Sequence, residues 1–336
     1  MDTVYDVTIL GAGPVGLFGA FYTGLRGCSV KLIDSLAEPG GQLAALYPEK
    51  YIYDVAGFSK IMSKDLVQRL LEQAQAFNPT FCLNEFLTEF SYLDNKIIRL
   101  QSNVQEHFTR SLIICTGLGA FSPRKIGDPR IDAYEGRGLS YIVTSKEELR
   151  GKRLLIVGGG DTALDWALNL EPIAKAITLI HRRDRFRAHE HSVNQLFASS
   201  VDVKTFYELR ALHGQEWVTE AVIFNNQTNE EETLGVDHVL LNLGFVSDMG
   251  PLKNWGIRFR KNSIVVNARM ETNLPAVYAA GDVSDHAGKL KLIVTGFGEA
   301  AVAVNFAKNY IDPEAKAFPG HSSTMSALPL TLAKRG

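Results

Sequence analysis

Apolar residues along the chain form two short runs that each end in a glycine-rich turn and continue into a helical pattern. The first run, Val7 to Leu10, precedes Gly11, and the second, Leu154 to Val157, precedes Gly158. Each turn is followed by helical periodicity, over 14–26 and 161–170, and then by a second β-rich run, over 29–33 and 176–180. The pattern therefore predicts two strand–helix–strand units in one chain.

The remaining pattern predicts further strands and one long helix around these two units. Strand-like runs lie near 81–90, 96–100, 111–115 and 273–280, β-rich segments occupy 201–241, a helix covers 295–310, and 38–53 and 311–336 show little periodicity. We expect an α/β fold with two Rossmann-like dinucleotide-binding domains, one inserted in the other. Residues 1–117 and 246–336 would form the outer domain, and 118–245 the inserted one.

The two glycine-rich turns have the spacing of dinucleotide-binding fingerprints. In such a turn the first glycine permits the tight bend, the second lets the backbone approach a pyrophosphate, and the third position allows helix and strand to pack closely. The N-terminus of the following helix offers unpaired N–H groups to the phosphates. The candidate phosphate-binding residues are Gly11, Gly13 and Gly16 in the first turn, and Gly158, Gly160 and Ala163 in the second.

The residues that follow each unit predict different dinucleotides. Asp34 ends the second strand of the first unit, where a carboxylate accepts hydrogen bonds from ribose hydroxyls and repels a 2′-phosphate, which suits FAD or NAD. The corresponding place in the second unit holds a basic cluster, and guanidinium groups pair with phosphate in a bidentate way. The second unit is therefore predicted to bind NADPH through Arg182, Arg183 and Arg187, with Arg185 nearby.

Composition excludes several other classes of protein. The 336 residues carry a formal net charge of −2, which argues against nucleic-acid binding. No apolar stretch reaches the roughly 20 residues of a membrane span, and the N-terminus lacks the features of a secretion signal, so we expect a cytoplasmic protein. The three cysteines have no C-x-x-C spacing, and His189 and His191, two apart on a helix, face different sides, so no metal site is predicted.

These motifs together resemble the flavoproteins with two dinucleotide-binding domains, the family that includes thioredoxin reductase. Those reductases carry a C-x-x-C pair before the second glycine turn, whereas residues 137–144 contain no cysteine, so relay through a dithiol is excluded. The stretches 40–55, 181–192 and 321–323 are similar to ferredoxin–NADP reductases of the thioredoxin-reductase-like type.

This resemblance implies contacts to FAD for particular residues. Asp34 would bind the adenosine ribose, and Leu87 would meet the adenine through its backbone. Asp282, which follows a predicted strand and Gly281, would hold the central part of FAD. The residues implied near the flavin ring are Gln42, Tyr47 stacked on one face, Phe121 at the domain crossover, and His321 and Ser323 from the tail of a partner subunit on the other face.

The expected activity is that of an FAD-dependent ferredoxin or flavodoxin NADP reductase acting as a homodimer. Hydride transfer between NADPH and flavin N5 needs positioning residues and no catalytic side chain. Two other functions stay open on the sequence: an NADPH oxidase or diaphorase, and a cofactor-sensing protein without turnover. A basic docking surface for an acidic partner would draw on Lys50, Lys60, Lys64, Lys289 and Lys291.

Overall fold

The structure is a computed structural model that describes residues 3–93, 96–317 and 319–321, apart from the side chains of residues 120, 121 and 247. Within these ranges, the helices are all too short or too polar to cross a lipid bilayer.

Strands and helices alternate along most of the chain. The helices are α1 (Pro14–Leu25), α2 (Gln42–Ala45), α3 (Ser63–Gln75), α4 (Pro129–Asp132), α5 (Asp161–Leu170), α6 (Glu190–Ala198) and α7 (Ile293–Ile311), with 3₁₀ turns at Glu147–Leu149 and Gly250–Asn254. The strands are β1 (Val4–Leu10), β2 (Val30–Ile33), β3 (Tyr51–Ile52), β4 (Ile61–Met62), β5 (Thr80–Cys82), β6 (Leu87–Tyr92), β7 (Ile98–Ser102), β8 (Glu106–Ile114), β9 (Ala120–Pro123), β10 (Leu139–Ser140), β11 (Arg153–Val157), β12 (Ala176–His181), β13 (Asp202–Thr205), β14 (Tyr207–His213), β15 (Glu220–Asn225), β16 (Glu231–Gly235), β17 (His238–Leu241), β18 (Phe245–Asp248), β19 (Phe259–Arg260), β20 (Ser263–Val265), β21 (Val277–Ala279) and β22 (Ser284–Asp285).

The chain divides into two compact units. Met1–Phe121 and Ser247–Gly336 form the outer unit, and Ser122–Val246 form the inserted unit. The chain leaves the outer unit within β9 and returns to it within β18.

The outer unit is built on a sheet with the order β5-β2-β1-β8-β7-β6, and β21 also pairs with β8. Strands β5, β2, β1, β8 and β21 are parallel, and β7 and β6 continue antiparallel from the first residues of β8. Val7, Ile9 and Leu32 are fully buried, as expected for parallel strands covered on both faces. The apolar runs of β1 and β2 therefore form the centre of this unit.

Small residues bring α7 close to the first glycine turn. A Cβ added at Gly296 would overlap Val15 of α1 and lie 3.3 Å from the Cα of Gly281. A Cβ added at Gly19 would lie 3.8 Å from the Cβ of Ala300. The start of α7, the start of α1 and the turn after β21 thus meet at one end of the sheet.

The inserted unit repeats this arrangement with different residues. Its parallel sheet has the order β10-β17-β11-β12-β13, and a separate antiparallel sheet holds β14, β15 and β16. Strand β11 has its strand–helix–strand partner β12 on one side and the later strand β17 on the other, as β1 has β2 and β8. The two units therefore share one topology around their glycine turns.

The structure differs from the sequence prediction in two segments. The predicted strand at 81–90 is two strands, β5 and β6, because Asn84 between them adopts a left-handed conformation with φ of 55°. The predicted loop at 38–53 contains the short helix α2 and strand β3. Helix α2 begins after Gly41, whose φ is 56°.

Two glycine substitutions in helices of the outer unit should differ in their effects on stability. A Cβ at Gly16 would overlap the carbonyl oxygen of Gly11, whereas a Cβ at Gly298 in α7 would meet no atom of the described residues within 4 Å. Gly16→Ala should lower the free energy of unfolding by about 1–3 kcal/mol. Gly298→Ala should leave it unchanged or raise it by up to about 1 kcal/mol. Denaturant unfolding of both variants measures the difference, and equal effects would contradict this packing.

Candidate functional site

Each unit has a topological switch point, where the strand order reverses. In the outer unit it lies at the carboxyl ends of β1 and β8, and in the inserted unit at the carboxyl ends of β11 and β17. Ligands of open α/β sheets bind at such switch points. Both glycine-rich turns leave their sheets at these positions, so each unit has one candidate dinucleotide site.

In the first turn, a side chain would clash with the protein at Gly11 and Gly16 but not at Gly13. A Cβ at Gly11, whose φ is 107°, would lie 2.5 Å from the carbonyl oxygen of Cys115, and one at Gly16 would overlap Gly11 itself. Gly13 has an ordinary φ of −70°, and its nearest contact from an added Cβ would be the Cα of Gly41 at 3.8 Å. Protein packing therefore accounts for Gly11 and Gly16, while the open space at Gly13 fits a phosphate that approaches the backbone.

The second turn follows the same rule. A Cβ at Gly158 would lie 2.5 Å from the carbonyl oxygen of Asn242, and one at Gly159 would overlap the ring of His181. Gly160 has a φ of −102°, and a Cβ added there would meet no atom of the described residues within 4 Å, while Ala163 is fully buried against the turn. The inserted unit thus has the same open backbone position at the N-terminus of α5.

Asp34 is buried beside the first turn. Its Oδ2 accepts a hydrogen bond from the N–H of Ala12 at 2.6 Å, and its Oδ1 accepts one from the N–H of Leu36 at 2.9 Å. Burial raises the pKa of Asp34, and the two N–H donors partly oppose that shift. Each carboxylate oxygen retains acceptor capacity, which suits a ligand hydroxyl.

Three further residues that the resemblance assigns to FAD, namely Tyr47, Asp282 and Gln42, lie in the outer unit. Burial, reinforced by the charge of Asp282, raises the pKa of Tyr47 to about 12. Among the described residues, none donates a hydrogen bond to the Asp282 carboxylate, so its oxygens remain available to a ligand. The Nε2 of Gln42 lies 3.4 Å from the position of a Cβ at Gly117, just after β8.

The basic cluster is attached to the second turn through the backbone. The N–H of Arg187 donates to the carbonyl of Gly159 at 2.7 Å, and Arg187 forms a bridge with Gly160. Arg182, Arg183 and Arg187 are exposed, and none of them forms an ion pair with a carboxylate of the described residues. Their guanidinium groups are therefore free to bind an anion next to the turn.

His181 lines this turn without adding charge. Its ring stacks on Phe186 with centroids 5.1 Å apart, and its Nε2 lies 3.2 Å from the carbonyl oxygen of Arg185. Burial lowers the pKa of His181, and the charges of Arg182, Arg183 and Arg187 lower it further. The positive charge beside this turn thus comes from the arginines.

The other predicted site residues have varied placements. Leu87 is buried at the start of β6, close in sequence to Glu85, whose N–H donates to the carbonyl of Asp34. Phe121 lies in β9, but its side chain is outside the described part, and Ser323 is outside it entirely. His321 is exposed at the end of the described tail.

The sequence did not predict a buried ion pair between Glu299 and Lys289 next to the Asp282 turn, and it predicted a surface position for Lys289. The Nζ of Lys289 lies 2.6 Å from both carboxylate oxygens of Glu299, and each side chain is only 6% exposed. The expectation that Lys289 belongs to a docking surface is wrong, because the charge is buried and paired. Lys64 is exposed but paired with Glu49 at 3.0 Å. The long-range pairing of Glu299 has no sequence signal.

One cluster in the outer unit has the composition of a metal site. Ligand atoms of Cys82, Glu85 and His107 lie within 4.8 Å of one another. However, the Nζ of the buried Lys31 lies 3.0 Å from Nδ1 of His107, and Nε2 of His107 lies 2.9 Å from Glu85. The positive charge of Lys31 beside His107 would repel a cation. We therefore interpret the cluster as a hydrogen-bonded network and not a cation site.

The chain matches known proteins over nearly its whole length. A sequence model of the pyridine nucleotide-disulphide oxidoreductases matches residues 5–305. Ferredoxin–NADP reductase 2 of Shouchella clausii is 52% identical over 96% of this chain and 98% of its own. Ferredoxin–NADP reductase of Geobacillus kaustophilus is 52% identical over 96% of this chain and 97% of its own.

The chain belongs to the ferredoxin–NADP reductase family. The crystal structure of Lactococcus lactis thioredoxin reductase matches with a TM-score of 0.77 at 26% identity, covering 91% of this chain and 99% of that one. The predicted resemblance and the fold class, two Rossmann-like dinucleotide-binding domains, are confirmed. Cys28, Cys82 and Cys115 are all free, and Cys28 and Cys115 are buried.

Alanine at the middle glycine of each turn should separate folding from ligand binding. Gly13 and Gly160 are N-cap residues with open space, so Gly13→Ala and Gly160→Ala should cost at most about 1 kcal/mol of stability. Gly13→Ala should weaken FAD binding at least about tenfold, or 1.4 kcal/mol, and Gly160→Ala should weaken NADPH binding by a similar factor. Fluorescence titration of each variant with FAD and with NADPH measures both affinities. The dinucleotide bound by the unaltered turn is the control for each variant. Unchanged affinities would contradict the phosphate assignment.

Proposed function

We propose that the chain is an FAD-dependent ferredoxin–NADP reductase whose outer unit binds FAD and whose inserted unit binds NADPH. The observation that carries this proposal is the difference between the two glycine turns. The first is backed by the buried carboxylate of Asp34 and the second by the unpaired arginines at 182, 183 and 187. The close likeness to proteins named ferredoxin–NADP reductase supports the same activity.

The outer unit would hold FAD along the crevice between β1 and β8. The residues assigned to the pyrophosphate are Gly11, Gly13 and Gly16, with Asp34 on the adenosine ribose and the backbone of Leu87 at the adenine. Asp282 would hold the central part of the cofactor, and Gln42, Tyr47 and Phe121 would lie at the ring. The open backbone at Gly13 and the available carboxylate of Asp282 support this placement.

The inserted unit would hold NADPH with Gly158, Gly160 and Ala163 at the pyrophosphate. Arg182, Arg183 and Arg187 would bind the 2′-phosphate, which distinguishes NADPH from NADH. The backbone hydrogen bond from Arg187 to Gly159 supports this assignment, because it ties the basic cluster to the turn.

FAD, when bound, accepts a hydride at N5 and passes electrons singly to a protein acceptor. The protein's own contribution is to bind and orient both dinucleotides, and no side chain is required to transfer a proton in the hydride step. Free cysteines without a partner support an exit of electrons directly to ferredoxin or flavodoxin. Residues His321 and Ser323 would cover the second face of the ring from the partner subunit of a homodimer, in the cytoplasm.

Reduction of cytochrome c by NADPH, with and without added ferredoxin, tests the activity. The proposal predicts that the protein alone reduces cytochrome c slowly. With ferredoxin or flavodoxin present, the rate should rise at least about tenfold, which corresponds to about 1.4 kcal/mol. Rapid oxygen consumption that neither partner changes would favour an NADPH oxidase. An FAD-loaded protein that NADPH does not reduce would favour a cofactor sensor.

Loss of two arginines should change the preference between the two nicotinamide cofactors. Arg182→Ala with Arg183→Ala removes charge-assisted contacts worth about 1.5–3 kcal/mol each to the 2′-phosphate. The kcat/KM for NADPH should fall at least about tenfold while that for NADH changes little. Arg150→Ala, an exposed arginine of the same unit that is paired with Glu147, is the control. Equal losses for both cofactors would contradict a 2′-phosphate role.

A further inference from the structure

A buried carboxylate, Glu299, joins α7 to the turn that carries Asp282. Its Oε2 accepts hydrogen bonds from the N–H of Gly281 at 2.8 Å and from the hydroxyl of Ser284 at 3.1 Å. Glu299 lies in the second turn of α7 and is 6% exposed. The carboxylate therefore fixes the backbone immediately before Asp282 to the start of the helix.

Two side chains from the following loop contact this buried carboxylate, and one of them, Lys289, carries the opposite charge. Lys289 contacts both carboxylate oxygens at 2.6 Å, and Nε2 of His286 lies 2.9 Å from Oε1. Burial would raise the pKa of Glu299, but the hydrogen bonds from Lys289, His286 and Gly281 outweigh it and lower the pKa. Glu299 is therefore ionised inside the protein, and Lys289 is its buried counter-charge.

The charges of this pair reach the residues assigned to the flavin. Burial raises the pKa of Asp282, the charges of Lys289 and Lys291 lower it, and that of Glu299 raises it again. The charge of Asp282 in turn acts on Tyr47. Glu299 and Lys289 therefore act on Asp282, and Asp282 acts on the aromatic ring proposed to stack on the isoalloxazine.

We propose that Glu299 and Lys289 form a charge pair that sets the reduction potential of the FAD bound beside Asp282 and Tyr47, with Glu299 as a positioning residue for the Asp282 turn. This inference rests on the proposed function, because it requires FAD in the outer unit. Reduction adds negative charge to the bound cofactor. Extra positive charge nearby then favours its reduced form, and extra negative charge favours its oxidised form.

Removing each member of the pair should move the potential in opposite directions. Glu299→Gln leaves Lys289 as a buried positive charge, so the equilibrium should shift towards reduced FAD by about tenfold, or about 30 mV for two electrons. Lys289→Met leaves Glu299 uncompensated and should shift the equilibrium towards oxidised FAD by a similar factor. The double variant should lie close to the unaltered protein. Anaerobic redox titration measures the reduction potential of FAD in the two single variants and the double variant. The titration is repeated at higher pH to keep Glu299 ionised.

The matched control is Lys308→Met at the other end of α7. Lys308 also pairs with a carboxylate, that of Asp312 at 3.2 Å, and its loss changes the charge equally. Its potential should equal that of the unaltered protein.

Opposite shifts cannot come from structural damage alone, because a loosened Asp282 turn would move both single variants in the same direction. Shifts of the same sign, or no shift in FAD-loaded variants, overturn this inference and leave the proposed function standing. If Glu299→Gln does not fold, the Lys289→Met and double variants decide the sign. An unaltered protein that cannot be loaded with FAD overturns the proposed function and this inference with it.

Discussion

The close approach of one backbone carbonyl to the first glycine of each turn is the constraint on which both sites depend. The carbonyl of Cys115 faces Gly11, and the carbonyl of Asn242 faces Gly158, each at 2.5 Å from where a Cβ would stand. A side chain at either position would push the central strand away from its neighbour. Glycine at these two positions lets each central strand stay paired with its neighbour to its last residue. The chain then turns sharply, and a helix starts within a few residues. The N–H groups of that helix start are then directed at the switch point.

The parts of the site that depend on local chain geometry could be predicted from the sequence. Gly13, Asp34 and Gly160 belong to short segments whose spacing is fixed by one strand, one turn and one helix. Glu299 could not be predicted, because its partners Gly281 and Lys289 come together only when α7 packs on the turn after β21. The break between β5 and β6 was also missed, since it depends on the left-handed backbone of Asn84, which an apolar run does not reveal.

The two units use one topology to make two chemically different sites. In the outer unit the glycine turn is followed by the buried carboxylate of Asp34. In the inserted unit the same place carries exposed arginines whose backbone is tied to Gly159. In the proposed function, the fold sets where each dinucleotide binds, and a few side chains at the end of the second strand select between FAD and NADPH.

The central claim is that FAD in the outer unit is reduced by a phosphorylated nicotinamide held in the inserted unit. Anaerobic stopped-flow mixing of the FAD-loaded protein with NADPH, and separately with NADH, tests it most directly. The account predicts fast bleaching of the flavin absorbance by NADPH and much slower bleaching by NADH at the same concentration. A flavin that NADPH leaves oxidised, or that both nucleotides reduce at the same rate, would contradict it.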